Sequence, residues 1–233
     1  MEPAKPVEPE YREEDAPMLR RIIAQRMTES KVNNPHFYLT MDVDVAQLVF
    51  HRQQLIESYG RKISFNDIII KAISNALEAH PECNASYIED KIRYYTEINV
   101  CLAVAVPNGL LTPTIRDCGN KDVGDINLAA TELVEKARNM RLRPKEGMGG
   151  TFTLSNLGMM GVEEFAAIIN PPQSMILAVG SVREVPVVKD DQIVIGKRMK
   201  ITLSCDHKIV DGATGAAFLR TVKNLLEAPE ALR

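Results

Sequence analysis

The residues best suited to acid–base chemistry lie in the segment D-H-K-I-V-D-G, residues 206–212. Period-two alternation along the preceding strand ITLSCDH puts His207 on the same apolar face as Leu203 and Cys205. Burial on that face is expected to keep the imidazole neutral and able to accept a proton. Asp211 follows within a turn and could orient such a base, although it could equally cap a helix. The segment therefore predicts a general base at His207, with a buried structural histidine as the alternative.

A second candidate is Ser155, in the segment TFTLSNLGMMG. A serine at the end of a strand beside glycines can direct its hydroxyl into a cleft. The strained G-x-S-x-G turn that exposes a hydrolase nucleophile is absent, which favours a role as an oxyanion donor. A serine hydrolase that uses His207, Asp211 and Ser155 remains the rival hypothesis. The same segment is not G-x-G-x-x-G, so it does not predict a dinucleotide site.

Metal chemistry has little support in the sequence. The four cysteines include no C-x-x-C pair, and Cys205 with His207 would supply only two of the ligands that a zinc site needs. Scattered cysteines in a chain of this size are typical of reduced thiols inside the cell. We assign no functional role to His36, on the polar face of a strand, to His51, or to His80, at a helix end.

Composition and charge exclude several classes of protein. The chain of 233 residues has a formal net charge of -3 and no tryptophan, which does not favour nucleic-acid binding. No stretch approaches the ~18 apolar residues of a membrane span, and the first residues lack the apolar core of a secretory signal. Residues 1–16, rich in proline and charge, predict a flexible linker, and residues 17–233 predict one domain.

The alternation of helices and strands is irregular and predicts an α+β fold, a mixed sheet with helices on one face. A serine-aspartate capping box at Ser64 and Asp67 predicts the start of a helix that Pro81 ends. Residues 99–106 predict one buried strand, and Asp190-Asp191 predicts a hairpin turn. The other predicted helices begin near residues 18, 46 and 125, and the last one ends near Glu227.

Several long segments together resemble a known family. They are PHFYLTMDVDV, KISFNDIIIKA, GLLTPTIRD, GGTFTLSNLGMMGVEEFAAIINPPQSMILAVG and ITLSCDHKIVDGATGAAFLRTVKNLLE. In this order they are similar to the catalytic domains of dihydrolipoamide acyltransferases (E2), nearest to those that serve pyruvate dehydrogenase complexes. The resemblance covers roughly residues 17–233. It implies a two-layer α+β sandwich like that of chloramphenicol acetyltransferase and an active site in a channel between subunits.

The resemblance also implies roles for individual residues. His207 would be the general base, Asp211 its companion and Ser155 the oxyanion donor. Coenzyme A would contact Asn156, Gly180, Ser64 and Arg52. The chain departs from the family pattern at Lys208, where an arginine is usual; a lysine lacks the rigid fork of donors and is expected to anchor this segment less firmly.

Substrates, partners and location follow from the same resemblance. The expected reaction is acetyl transfer between dihydrolipoamide and coenzyme A, with the lipoyl group on a separate domain and no metal. Transfer of a succinyl or branched acyl group, or a non-catalytic scaffold role, are the alternatives. The expected assembly is a homotrimer within a cubic or dodecahedral core that reaches the E1 and E3 components through upstream domains. The expected location is the cytoplasm of a bacterium, or the mitochondrial matrix in a eukaryote.

Overall fold

The computed structural model describes residues 9–232. The α-helices in chain order are α1 Met18–Asn33, α2 Ala46–Tyr59, α3 Phe65–Ala79, α4 Val123–Arg138 and α5 Gly212–Glu227. The strands are β1 His36–Asp44, β2 Ala85–Ile88, β3 Lys91–Tyr94, β4 Val100–Leu102, β5 Val104–Val106, β6 Gly109–Leu111, β7 Thr114–Ile115, β8 Phe152–Asn156, β9 Met175–Val179, β10 Arg183–Lys189 and β11 Gln192–Asp206.

One seven-stranded mixed sheet organises the domain, in the order β1-β11-β9-β8-β4-β7, with β10 paired to β11. The pairs β8–β9 and β4–β8 are parallel, and the other pairs of this sheet are antiparallel. Two small hairpins, β2–β3 and β5–β6, lie outside it. The predicted mixed sheet is confirmed.

Helices α3 and α5 pack on one face of this sheet, where the core lies. Leu154, Leu177 and Leu203 are paired across β8, β9 and β11 and are fully buried on the helical side. Helix α3 is apolar over most of its length, and its N-terminus carries the predicted capping box: Ser64 Oγ accepts from the Asp67 N–H, and the Asp67 carboxylate accepts from the Ser64 N–H. The result is an α+β sandwich with helices on one face, as predicted.

Two local predictions differ from the structure. Residues 99–106 do not form one strand, because the chain breaks at Ala103, whose N–H donates to Leu154 O at 2.9 Å. The first half pairs with β8, and the second turns away to pair with β6. The helical spacing of Leu19, Ile22, Ile23 and Met27 predicts an apolar face on α1, but Ser30 is its one buried residue, since the helix lies outside the core, against the β5–β6 hairpin.

The other face of the sheet is crossed by an irregular segment, residues 162–170, which we call the strap. Ser204 Oγ of β11 donates to the strap at Ala167 O (2.7 Å), and Ser30 Oγ of α1 donates to Ile169 O (2.6 Å). The Ser181 N–H donates to Val162 O at 2.8 Å. The strap thus joins the end of β8 to the start of β9 while lying over β1 and β11.

The predicted linker is only partly within the described residues. Residues 9–16 are exposed and have no regular secondary structure. Residues 1–8 lie outside the described part of the chain. Within residues 9–232, no helix is long and apolar enough to cross a membrane.

Candidate active site

His207 follows directly after the end of β11. Its N–H donates to Pro35 O at 2.9 Å, and its ring lies 4.7 Å from the ring of Phe37, centroid to centroid. The side chain is exposed in the single chain, so the prediction that it is buried on the apolar face is wrong here. The reason is the turn at Asp206, whose carboxylate accepts from the Lys208 N–H at 3.0 Å and directs the chain away from the core.

Lys208 anchors this turn although an arginine was expected there. Its ammonium donates to Asn33 O at 2.8 Å and lies 3.5 Å from the carboxylate of the buried Asp206. It also lies over the ring of Tyr87, 4.9 Å from the centroid, where a cation is attracted by the face of the ring. Asn33 and Tyr87 belong to two other segments of the chain, so the lysine fixes the segment that carries His207 to both of them.

Asp211 caps helix α5. Its Oδ1 accepts from the Thr214 N–H at 2.8 Å, and no hydrogen bond joins it to His207 among the residues that the structure describes. The bond from Thr214 is the main cause that lowers the pKa of the Asp211 carboxyl, and the charge of His207 acts weakly in the same direction. Asp211 therefore fixes the start of α5 close to His207 rather than holding its ring.

Ser155 lies on the opposite face of the sheet from the helices. Its neighbour Leu154 points into the core, and Ser155 pairs with Ala178, which pairs in turn with Thr202. His207 lies two strands away and five residues beyond Thr202 along β11, which places it on the order of 20 Å from Ser155. One chain therefore does not bring these two residues together.

A cleft of about 410 Å³ opens beside the end of β8. Its lining residues are Arg52, Lys62, Ser64, Phe65, Asn66, Asn156, Gly158, Met159, Gly180, Ser181, Val182 and Met199. All four residues expected to contact coenzyme A lie in this lining, although they come from four distant parts of the sequence. Asn156 joins two sides of the cleft, because its Nδ2 donates to Asn66 Oδ1 at 2.7 Å and its Oδ1 accepts from the Gly158 N–H at 2.8 Å.

Three of these residues also shape the cleft. Arg52 Nε donates to Ile63 O at 2.7 Å, and its guanidinium lies 4.9 Å from the centroid of the Phe65 ring. Ser64 caps α3. Gly180 has no room for a side chain, since a Cβ there would lie 1.9 Å from Glu163 O of the strap. Arg52 and Ser64 fix the start of α3, and the absence of a side chain at Gly180 leaves space for the strap.

The cleft favours an anionic ligand. Arg52 and Lys62 bring positive charge to its rim, and the N-terminus of α3 adds the partial positive charge of the helix dipole. Lys62 carries no distinguishing signal in the sequence, because a lysine two residues before a helix cap is an ordinary surface residue. Within residues 9–232, no three His, Cys, Asp or Glu side chains form a group that could hold a metal ion.

Comparison with known proteins identifies the family. The family model of the 2-oxoacid dehydrogenases acyltransferase (catalytic domain) matches residues 8–233. This chain belongs to that family. It is 47% identical over 224 residues to the dihydrolipoyllysine-residue acetyltransferase component of the pyruvate dehydrogenase complex of Rickettsia bellii, covering 94% of this chain and 54% of that protein. The chain thus spans about half the length of this curated relative.

Solved structures agree with this assignment. The dihydrolipoamide acetyltransferase of Azotobacter vinelandii aligns with a TM-score of 0.92 and 28% identity, over 100% of this chain and 99% of that one. The study of that enzyme concerned a serine, a histidine and an asparagine in its catalytic mechanism. The cubic core of the pyruvate dehydrogenase multienzyme complex aligns equally well, with a TM-score of 0.92, 28% identity and the same coverage. A chloramphenicol acetyltransferase shares the fold, with a TM-score of 0.54 and 15% identity over 87% of this chain and 94% of that one.

Proposed function

We propose that this chain is the catalytic domain of a dihydrolipoamide acetyltransferase, which exchanges an acetyl group between dihydrolipoamide and coenzyme A. The observation that carries the proposal is the cleft at the end of β8, which is lined by Asn156, the residue after Ser155. It gathers Arg52, Ser64, Asn156 and Gly180 into one cationic lining, suited to the phosphates of coenzyme A. Membership of the acyltransferase family supports the reaction class.

The proposed catalytic residues are His207, Ser155 and Asp211. In the Azotobacter enzyme, the serine precedes the histidine by as many positions as Ser155 precedes His207 here. The asparagine follows that histidine at the interval at which Asp211 follows His207. This agreement in spacing supports the same placement in this chain, with an aspartate in place of the asparagine.

The reaction needs a base and an oxyanion donor from this chain. His207 takes the proton of the coenzyme A thiol, and the thiolate attacks the carbonyl carbon of S-acetyldihydrolipoamide. The Ser155 hydroxyl donates to the oxyanion of the tetrahedral intermediate. That intermediate then expels the dihydrolipoamide thiolate, which takes the proton from the His207 imidazolium. The reverse reaction follows the same path with the two thiols exchanged.

We also propose that each active site combines two subunits. The separation of His207 from Ser155 within one chain supports a site in which His207 of one subunit reaches the cleft of the next. A homotrimer within a pyruvate dehydrogenase-type core, carrying lipoyl groups on separate domains and reaching the E1 and E3 components through upstream domains, is the proposed assembly.

Acetyl transfer from acetyl-CoA to dihydrolipoamide tests the proposal. We expect His207→Ala to lower kcat by about 10³-fold, because the thiol then loses its proton without a positioned base. His51→Ala on α2, a histidine outside the site, is the matched control and should retain the wild-type rate. Full activity in His207→Ala would contradict the proposed role, and a faster reaction with succinyl-CoA or a branched acyl-CoA would contradict the acetyl specificity.

A further inference from the structure

Both ring nitrogens of His36, the first residue of β1, are engaged. Nδ1 lies 2.7 Å from Asn34 O, and Nε2 lies 3.1 Å from the Ile169 backbone nitrogen. A carbonyl oxygen can only accept and a backbone N–H can only donate. Nδ1 must therefore carry the proton and Nε2 must be free of one. The two partners fix a neutral imidazole in a single tautomer.

The two partners of His36 belong to different parts of the site. Asn34 lies in the turn that holds the catalytic segment: Pro35 O accepts from the His207 N–H at 2.9 Å, and Asn34 Nδ2 donates to Asp206 Oδ2 at 2.8 Å. Ile169 is the buried residue near the end of the strap. The imidazole of His36 therefore joins the turn that holds His207 to the segment that leaves the Ser155 strand.

We propose that His36 is a positioning residue whose neutral imidazole clasps the strap to the turn that holds His207, and that protonation of His36 opens this clasp. A protonated ring donates from both nitrogens, so Nε2–H would face the Ile169 N–H. Two donors cannot share a hydrogen bond, and the end of the strap must move away. Ser30 would still hold Ile169 O, so the opening is local to this contact.

The charges around His36 set the direction of its titration. Burial is the largest cause and lowers its pKa below the ordinary value of 6.5; Lys31 of α1 lowers it further, while the Asn34 carbonyl and Asp206 of β11 raise it. Because the folded pKa lies below the unfolded one, the clasp contributes its full stability above pH 6.5. That contribution is lost as the pH falls below 6.5 and through the lower folded pKa.

Hydrogen exchange of the strap in the full-length oligomer tests this inference. We expect protection of the Ile169 amide, corrected for the intrinsic rate, to fall about tenfold as the pH drops from about 8 to 5. His36→Gln can still accept from Ile169 through Oε1 and does not titrate, so its protection should stay high at every pH. In His36→Asn the shorter side chain reaches Asn34 O but not the Ile169 N–H, so the Ile169 amide should exchange fast at every pH.

The control variant is His51→Gln, which removes a histidine outside the strap and should keep the wild-type pH dependence. A wild-type protection that does not change with pH, or one abolished in His51→Gln, would overturn the inference. A measurement without substitution gives an independent check. At neutral pH the ¹⁵N spectrum of His36 should show the proton on Nδ1, and a proton on Nε2 would also overturn it.

The role of His36 in catalysis rests on the proposed function and is tested by a separate experiment. We expect the acetyl-transfer rate of the wild type to fall on the acid side together with the strap protection, and His36→Gln to shift that limb to lower pH. If the wild type shows no transfer at all, the proposed function fails while the exchange result stands. If transfer occurs with the same acid limb in His36→Gln, the positioning role fails and the proposed function stands.

Discussion

At the scale of single residues, Asp211 combines a helix cap with a proposed role in the site. It caps α5 through Thr214 and lies close enough to His207 for the histidine's charge to affect its pKa. The cap fixes the first turn of α5 directly after the segment that carries His207. The helix cap and the proposed catalytic role of Asp211 therefore do not exclude each other, although Asp211 does not hold the ring of His207.

Substitution of Asp211 should separate these two contributions. We expect Asp211→Ala to lower Tm by about 3 °C, because the Thr214 N–H loses its acceptor. Asp211→Asn keeps an acceptor oxygen and should retain most of both stability and acetyl-transfer rate. Asp122→Ala is the matched control, since Asp122 caps α4 in the same way through Asp125. Thermal unfolding and kcat check this; an equal loss of kcat in the Asp122 and Asp211 alanine variants would show that Asp211 acts on stability alone.

At the scale of elements, the site depends on how β8, the strap and β9 are connected. The strap crosses the sheet face away from the helices and passes within contact distance of Gly180, directly after β9. Glu163 and Glu164 of the strap pair with Lys200 of β11, at 3.1 and 2.9 Å. The position of the cleft at the end of β8 thus depends on a segment with no regular secondary structure.

A side chain at Gly180 should disturb this connection. We expect Gly180→Ala to lower the free energy of unfolding by about 2 kcal/mol, because its Cβ would lie 1.9 Å from Glu163 O, a backbone atom that cannot rotate away. The KM for coenzyme A should rise as well, since Gly180 lines the cleft. Gly147→Ala is the control, because the nearest atom to its Cβ is 3.6 Å away. Urea unfolding checks the prediction, which fails if the two variants are equally stable.

At the scale of the whole molecule, the described chain carries the parts of the proposed active site in two separate places. The cleft and Ser155 lie at the end of β8, and His207 lies at the end of β11, on the order of 20 Å away. Assembly is therefore part of the proposed mechanism, because a chain on its own cannot present the base to the thiol that the cleft would hold.

Two variants that each lack one proposed catalytic residue should regain activity when their chains assemble into the same trimer. We expect co-expressed His207→Ala and Ser155→Ala chains to reach about a quarter of the wild-type rate. Each site needs an intact histidine from one subunit and an intact serine from the next, and random assembly of the two variants produces this combination at about a quarter of the interfaces. Acetyl transfer by the purified mixed trimers is the measurement. Separately purified variants, mixed without subunit exchange, are the control. A co-expressed mixture no more active than the single variants would place each site within one chain.

Local pattern was sufficient to predict much of this fold. The capping box of Ser64 and Asp67, the turn at Asp190-Asp191 and the end of α5 at Glu227 follow from neighbouring residues and lie where predicted. The break at Ala103 could not be predicted, because it depends on hydrogen bonds to strands distant in sequence. The contact of His36 with the strap could not be predicted for the same reason: its partner Ile169 lies far along the chain.

The sequence by itself determined the family, the α+β class and the residue types that could do chemistry, since these depend on composition, spacing and order along the chain. Only the tertiary structure decided that His207 is exposed, that Arg52, Ser64, Asn156 and Gly180 line one cleft, and that Ser155 lies on the order of 20 Å from His207. These properties depend on strand order and on which face each residue occupies. Both are set by packing between segments far apart in the chain, which the local sequence pattern does not specify.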